Sequence, residues 1–253
     1  MLQFLGFWFV QLIRLFFIFV SFLLSFENSE SAITMDDGES SIGIFQPYRR
    51  AFKNNVEMST YPIYLFVMPN FKIKKEFEKF NLSGQYGVSY PTPLLRILQK
   101  KGLLGIIPPE EDIGSIVPHL VGLSAEIITS RSYKSIDYTL KGGIALGLSF
   151  GSLDDRMIIE LPIIYPRYVK YFSSVTYNLG FDSRFNISNS LSFLSDIDVI
   201  FIGSNQFLEN KFLFDIQLNK SIGICLGSKL AYGEYSYGKK WRLLPLFDLI
   251  YNW

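Results

Sequence analysis

Residues 136–150 read IDYTLKGGIALGLSF. Ile136, Tyr138, Leu140, Ile144, Leu146, Leu148 and Phe150 fall on one parity, and Asp137, Thr139, Lys141, Gly143, Ala145, Gly147 and Ser149 fall on the other. Successive side chains of an extended chain point to opposite faces, so this spacing predicts a β-strand wetted on one side only. The stretch is far longer than the roughly five to six residues of soluble strands. It meets the roughly nine to eleven residues that a tilted strand needs to cross a bilayer. The alternation recurs to Trp253, so the apolar faces form one extended surface, read here as facing lipid. The fold class predicted is an antiparallel transmembrane β-barrel of about ten strands, range roughly eight to twelve.

Working outward, Leu191, Phe193, Ile197, Val199 and Phe201 alternate with Ser190, Ser192, Asp196 and Asp198. Leu208, Phe212, Phe214, Ile216 and Leu218 alternate with Glu209, Lys211, Asp215 and Gln217, and Asn219-Lys220 makes a tight connection. Next, Ile222, Ile224, Leu226, Leu230 and Tyr232 face outward against Gly223, Cys225, Gly227, Lys229 and Ala231. Val169 to Phe181 and Leu82 to Tyr90 alternate likewise, as do Val121, Leu123, Ala125 and Ile127. Met157, Ile159, Leu161 and Ile163 read as a shorter strand joined onward through Tyr165-Pro166-Arg167-Tyr168. Residues 63–80, with Pro69-Asn70 and a run of Lys and Glu, read as one bent strand or a hairpin.

The residues left on the inner face carry both signs: Glu126, Asp137, Lys141, Lys170, Asp196, Asp198, Glu209, Lys211, Asp215, Lys229 and Asp248. Charge in a narrow, low-dielectric lumen must be paired or hydrated. Asp196 and Asp198 form either a cation-attracting patch or, more blandly, pairs with Lys211 and Lys170.

Composition bounds the alternatives. Half the residues are hydrophobic (49%) and 17% are aromatic, with 15 Tyr and 24 Phe, yet no uncharged run of helical-span length follows residue 26. A net charge of +1 gives no electrostatic case for nucleic acid. Cys225 is the single cysteine, which excludes an intramolecular disulfide.

Residues 1–26 are apolar apart from a few polar residues and Arg14, and 15–26 form a block suited to a signal-peptide core. Residues 1–31 are therefore expected to be a signal peptide, with Ser29 and Ser31 before Ala32 as the small-residue pair; an uncleaved anchor is the alternative, at an insertion cost of about 2.5–3.5 kcal/mol for a central arginine. Residues 32–53, acidic at Asp36, Asp37 and Glu39 and basic at Arg49, Arg50 and Lys53, read as a flexible linker. The barrel is assigned to 54–253.

Aromatic residues collect near strand ends, and the chain finishes on Phe247, Leu249, Tyr251 and Trp253 at every second position. This ending resembles the C-terminal assembly signal of bacterial outer-membrane β-barrel proteins. The resemblance covers about the last ten residues and implies an outer-membrane address and outer-membrane lipid and the barrel-assembly machinery as partners. With Trp253 at the periplasmic rim, counting strands backwards puts turns near 131–134, 166–167, 203–206 and 237–240 outside. The longest connection, 91–118, with an amphipathic helix over Leu94, Leu95, Ile97 and Leu98 after Pro91-Thr92-Pro93, then falls on the periplasmic side.

No catalytic residue, metal site or cofactor is assigned. The function expected is non-enzymatic: a narrow pore or a structural envelope component. The competing readings are an outer-membrane lipid hydrolase or deacylase built on His119, the single histidine, with Ser124 five residues on, and a soluble lipid-carrier β-barrel.

Overall fold

A computed structural model describes residues 31–62, 65–100, 107–159, 164–172, 175–235 and 238–253. The expected signal peptide lies outside the described residues except at Ser31. The strands are β1 (Ser40–Gly43), β2 (Tyr48–Phe52), β3 (Val56–Thr60), β4 (Asn70–Phe77), β5 (Leu82–Ser89), β6 (His119–Tyr133), β7 (Ile136–Phe150), β8 (Val175–Ser188), β9 (Leu191–Ile202), β10 (Asn205–Gln217), β11 (Ile222–Tyr235) and β12 (Gly238–Asn252). Each pairs antiparallel with its neighbours, and β1 pairs with β12, so the sheet is a closed barrel of twelve strands and not of about ten. Among the described residues three α-helices lie in the connections: α1 (Thr92–Gln99), α2 (Glu110–Ile113) and α3 (Ile164–Val169).

Three strands are new: β1 and β2 from the stretch expected to be a linker, and β3 from the start of the region assigned to the barrel. β1 and β2 carry too few apolar residues to announce themselves, but they gain backbone partners on both sides: β1 between β12 and β2, and β2 between β1 and β3. The loop at 53–55 is made possible by Asn54 and Asn55, both at positive φ (65° and 56°), a region that asparagine tolerates better than other side-chain-bearing residues.

One expected strand is lost. Met157 and Ile159 are buried, but Met157 closes a short 3-10 turn and Ile159 packs into a core shared with α1 and Tyr168. Tyr165-Pro166-Arg167-Tyr168, read as a turn, lies within α3; Pro166 sits in the first turn, where its missing N–H removes no intrahelical bond. Residues 160–163, including Leu161 and Ile163, lie outside the described residues. Val169 and Lys170 precede β8, which begins only at Val175.

Removing that strand reverses the strand count for everything before it. The loops at 53–55, 78–81, 134–135, 189–190 and 218–221 share one rim with Trp253, and the connections 90–118 and 151–174 share the other with 203–204. The turns near 131–134 and 166–167 are therefore not on one side. The long 90–118 connection lies at the rim opposite Trp253.

The two faces separate cleanly. Outward positions include Leu140 (57% exposed), Ile127 (60%) and Leu243 (70%), together with Phe71, Ile73, Tyr86, Tyr177, Leu179, Phe214 and Phe247. Inward positions hold buried charge, among them Lys74, Asp196, Glu209 and Asp248. For a protein in water alone this is the inverse of what transfer energies favour.

Candidate functional site: a divided lumen

Across β7 to β11 the interior is filled by the barrel's own side chains. Lys141 faces Gly180, which faces Asp198 on β9, so the lysine crosses the glycine to reach Asp182 (2.8 Å), Asp196 (3.0 Å) and Asp198 (3.1 Å). A Cβ on Gly180 would collide with both Asp198 Oδ1 and Lys141 Cε, so only glycine leaves the path open. Lys211 Nζ lies 2.7 Å from Asp196 and Lys229 Nζ lies 2.6 Å from Glu209. Lys211 and Lys229 are directly opposite across the ladder, an arrangement that repels unless each has its own carboxylate, as here. Arg167 of α3 completes the layer, donating from Nη1 (2.6 Å) and Nη2 (2.7 Å) to the two oxygens of Glu209. Four acids, Asp182, Asp196, Asp198 and Glu209, thus meet four bases, Lys141, Lys211, Lys229 and Arg167.

The β2–β6 side is filled differently. At the Trp253 rim, residues 31–35 lie inside the barrel as a strap. Ala32 N–H donates to Ser130 Oγ (2.8 Å), Thr34 donates to Glu76 (2.8 and 2.9 Å), and Lys74 Nζ donates to the carbonyls of Ser31 and Ile33. At the opposite rim the connections fold over the lumen as a lid. Thr92 and Gln99 of α1 bond the 115–120 segment, and Leu95, Leu98, Ile107, Val117, Met157 and Tyr168 form the lid's core. Tyr165 and Val169 of α3 pack on Ile202, Phe207 and Tyr235, so α3 joins the lid to the charged half.

Among the described residues two cavities bear on the lumen. A polar one of about 400 Å³ opens at the Trp253 rim among Gln46, Arg184, Ser192, Lys211, Asp215 and Cys225. A second, of about 160 Å³, lies under the lid between α1, α3 and the inner faces of β2–β7. Arg49 lines both. Its guanidinium holds Glu57 (Nε 2.7 Å, Nη2 2.6 Å), and Lys74 approaches the same carboxylate at 3.4 Å.

Of the sequence-selected charges, Lys141, Asp196, Asp198, Glu209, Lys211 and Lys229 lie in the central layer. Asp215 accepts from Arg184 (2.5 Å) and from the Cys225 thiol (2.7 Å) nearer the Trp253 rim. Glu126 accepts from Asn178 (2.6 Å), and Asp248, fully buried, accepts from the amides of Phe45 and Gln46 (both 3.1 Å) instead of holding a cation. Asp137 accepts from Asn186 at the exposed rim. Lys170 is no partner of Asp196 or Asp198; it sits after α3 with Nζ 5.4 Å from the Tyr171 ring centre. Missed from sequence were Arg49, Glu57, Lys74, Arg167, Asp182 and Arg184. Continuing the parity of β8 would have found Asp182 and Arg184, whereas Arg49 sat in a stretch read as linker and Arg167 in one read as a turn.

His119 and Ser124 have opposite parity on β6, and so point to opposite faces of the sheet. His119 Nδ1 shares a hydrogen bond with Tyr90 Oη, with the two rings stacked 6.0 Å apart, and Ser124 lines the lidded cavity. They cannot act on one bond. Among the described residues no group of His, Cys, Asp and Glu could hold a metal.

No family model and no curated protein matches the chain. Among solved structures, the chain is similar to OmpT, an outer membrane protein of Vibrio cholerae folded in vitro, at 6% identity and a TM-score of 0.39 over 84% of this chain and 64% of that one. It is also similar to the outer membrane channel DcaP of Acinetobacter baumannii, at 10% identity and a TM-score of 0.36 over 82% and 61%. The chain spans under two thirds of either protein.

Proposed function

We propose that this chain is a non-enzymatic barrel of the bacterial outer membrane and a narrow pore seen closed, with the Trp253 rim periplasmic and the lid outside. The membrane reading is supported by the apolar belt on every long strand, which would cost heavily in water. The orientation is supported by the loops, since short turns on the periplasmic side and longer ones outside are the usual arrangement of such barrels. Phe247, Leu249, Tyr251 and Trp253 all point outward on the strand that closes the barrel, as an assembly signal read at its edge requires.

The observation that carries the pore reading is that two lumenal cavities end on one side chain, Arg49. A purely structural barrel has no reason to keep a polar vestibule and a lidded compartment that share one lining side chain, itself held in a cluster with Glu57 and Lys74. Arg49→Ser removes the partition. Reconstituted into planar bilayers, the parent should be closed for most of the record, and R49S should raise open time by on the order of tenfold, the effect of removing about 1.4 kcal/mol from the closed state. If both proteins migrate heat-modifiably, as folded barrels do, and both stay silent, the pore reading fails and the barrel stands. Recovery of the intact protein in the aqueous periplasmic fraction without detergent would remove the membrane reading itself.

A further inference from the structure

The lidded compartment has two kinds of wall. On the lid side it is apolar, with Leu94, Leu95 and Leu98 of α1 and the rings of Tyr168 and Tyr171. The tyrosine hydroxyls are already used, Tyr171 with Ser89 (2.7 Å) and Tyr168 with the Met157 carbonyl (3.3 Å), so the rings offer only their apolar bodies. The lining also carries four cationic side chains, Arg49 and Lys72 on the strands and Arg167 and Lys170 beside the two tyrosines, and one carboxylate, Glu57. Arg49 and Arg167 already hold Glu57 and Glu209, so a ligand's charge would be met chiefly by lysine, Lys170 foremost. Apolar surface beside such a cation is the arrangement of a site for an amphiphilic anion, where the body sets size and a few polar groups fix orientation. The volume, about 160 Å³, is of the class in which an enclosed apolar cavity of ~150 Å³ takes up benzene.

We propose that this compartment binds a small amphiphilic anion, a carboxylate carrying one aromatic ring or a chain of about six to eight carbons. The inference needs the lidded lumen and does not need the pore to open.

The test uses the full chain folded in detergent micelles and ligand-observed saturation-transfer NMR with benzoate, its neutral analogue benzyl alcohol, and hexanoate as competitor. Protein-free micelles supply the blank. Benzoate should bind about tenfold more tightly than benzyl alcohol, the ratio worth one charge-assisted contact of about 1.4 kcal/mol, and hexanoate should displace it. Lys170→Gln should shrink that ratio while benzyl alcohol still binds. Ala145→Phe, which fills the compartment from the inner face of β7, should abolish both signals. Equal binding of benzoate and benzyl alcohol, benzoate transfer that survives in A145F, or failure of hexanoate to compete would overturn the proposal; the competition arm uses the parent alone, so it decides even if A145F does not fold. Conduction plays no part in these readouts, so a silent bilayer record would sink the pore and leave this site standing.

Discussion

The two halves of the lumen are packed by different means. Along β7 to β11 the strands run 12 to 15 residues and fill the interior with their own charges, paired residue to residue across the ladder. Along β2 to β5 they run five to eight residues, and the space is filled by imported pieces: the 31–35 strap at one rim and the lid at the other. Where the barrel wall packs itself, all the paired charges but Arg167 of α3 are held by the closed sheet, and the space left is the polar vestibule at the Trp253 rim. A half filled by loops can be vacated without breaking a strand pair, and both the lidded compartment and the Arg49 partition lie there.

The sharpest attempt to break this contrast is Lys141→Met. It leaves Asp182, Asp196 and Asp198 around one remaining lysine, Lys211, and stranding buried charge costs about 3–5 kcal/mol. Denaturant unfolding in detergent or lipid should show that loss, and Asp182→Asn with Asp198→Asn in the same chain should return much of it. A loss below about 1 kcal/mol, the value of an exposed pair, would mean that the layer is hydrated and the two halves are alike.

Arg167→Met tests the joint between them. Glu209 keeps Lys229, and Tyr165 and Val169 still pack on Phe207 and Tyr235, so the loss should be about 1.5–3 kcal/mol, the worth of hydrogen bonds to a charged group. Its effect should appear as faster protease nicking between β7 and β8 in an otherwise resistant barrel. Uniform protection would show that the lid is as fixed as the wall.

The smallest effect belongs to an ion pair in the same connection, Asp154 with Arg156, where the hydrogen bond from Arg156 holds the exposed carboxyl down at about 2. A depressed carboxyl contributes stability that is present above its ordinary value near 3.8 and is lost only as pH falls through about 2. Asp154→Asn should therefore lower the unfolding midpoint by the same small amount at every pH from 5 to 8, the difference from the parent closing only as the pH falls from about 3.8 towards 2. A difference that varies with pH inside the 5 to 8 window would show that this surface pair is coupled to the buried layer.

The long strands were legible because a period of two sustained over a dozen residues belongs to an extended chain and to little else, and the inner charges of β7, β9, β10 and β11 followed from parity alone. β1 and β2 were not, because four or five residues hold no periodic signal and β1 finds one of its partners at the far end of the chain, as when Ser41 meets Asn252. Met157 and Ile159 misled for the opposite reason. Apolar residues two apart also suit a turn that buries alternate side chains under a lid, and that one error moved the 90–118 connection to the wrong rim. Arg49, the residue on which the pore reading turns, is invisible without the barrel because its importance is purely positional.

The central charge layer also proofreads assembly. β9 and β10 meet with Asp196 opposite Lys211 and Asp198 opposite Glu209. A slip of one residue would turn one strand's charges toward the apolar side, where each costs up to about 2–4 kcal/mol at the midplane of a bilayer. A slip of two keeps the faces right but sets Asp196 against Glu209 or Leu213, so Asp196 loses Lys211 from across the ladder. In the native register the one like-charged pair, Asp198 opposite Glu209, is answered from elsewhere, Asp198 by Lys141 and Glu209 by Lys229 and Arg167. The native offset thus gives each of these charges a partner, which makes the layer a combination lock on strand alignment: its value lies less in the stability of the correct barrel than in the partners a misaligned one would lose.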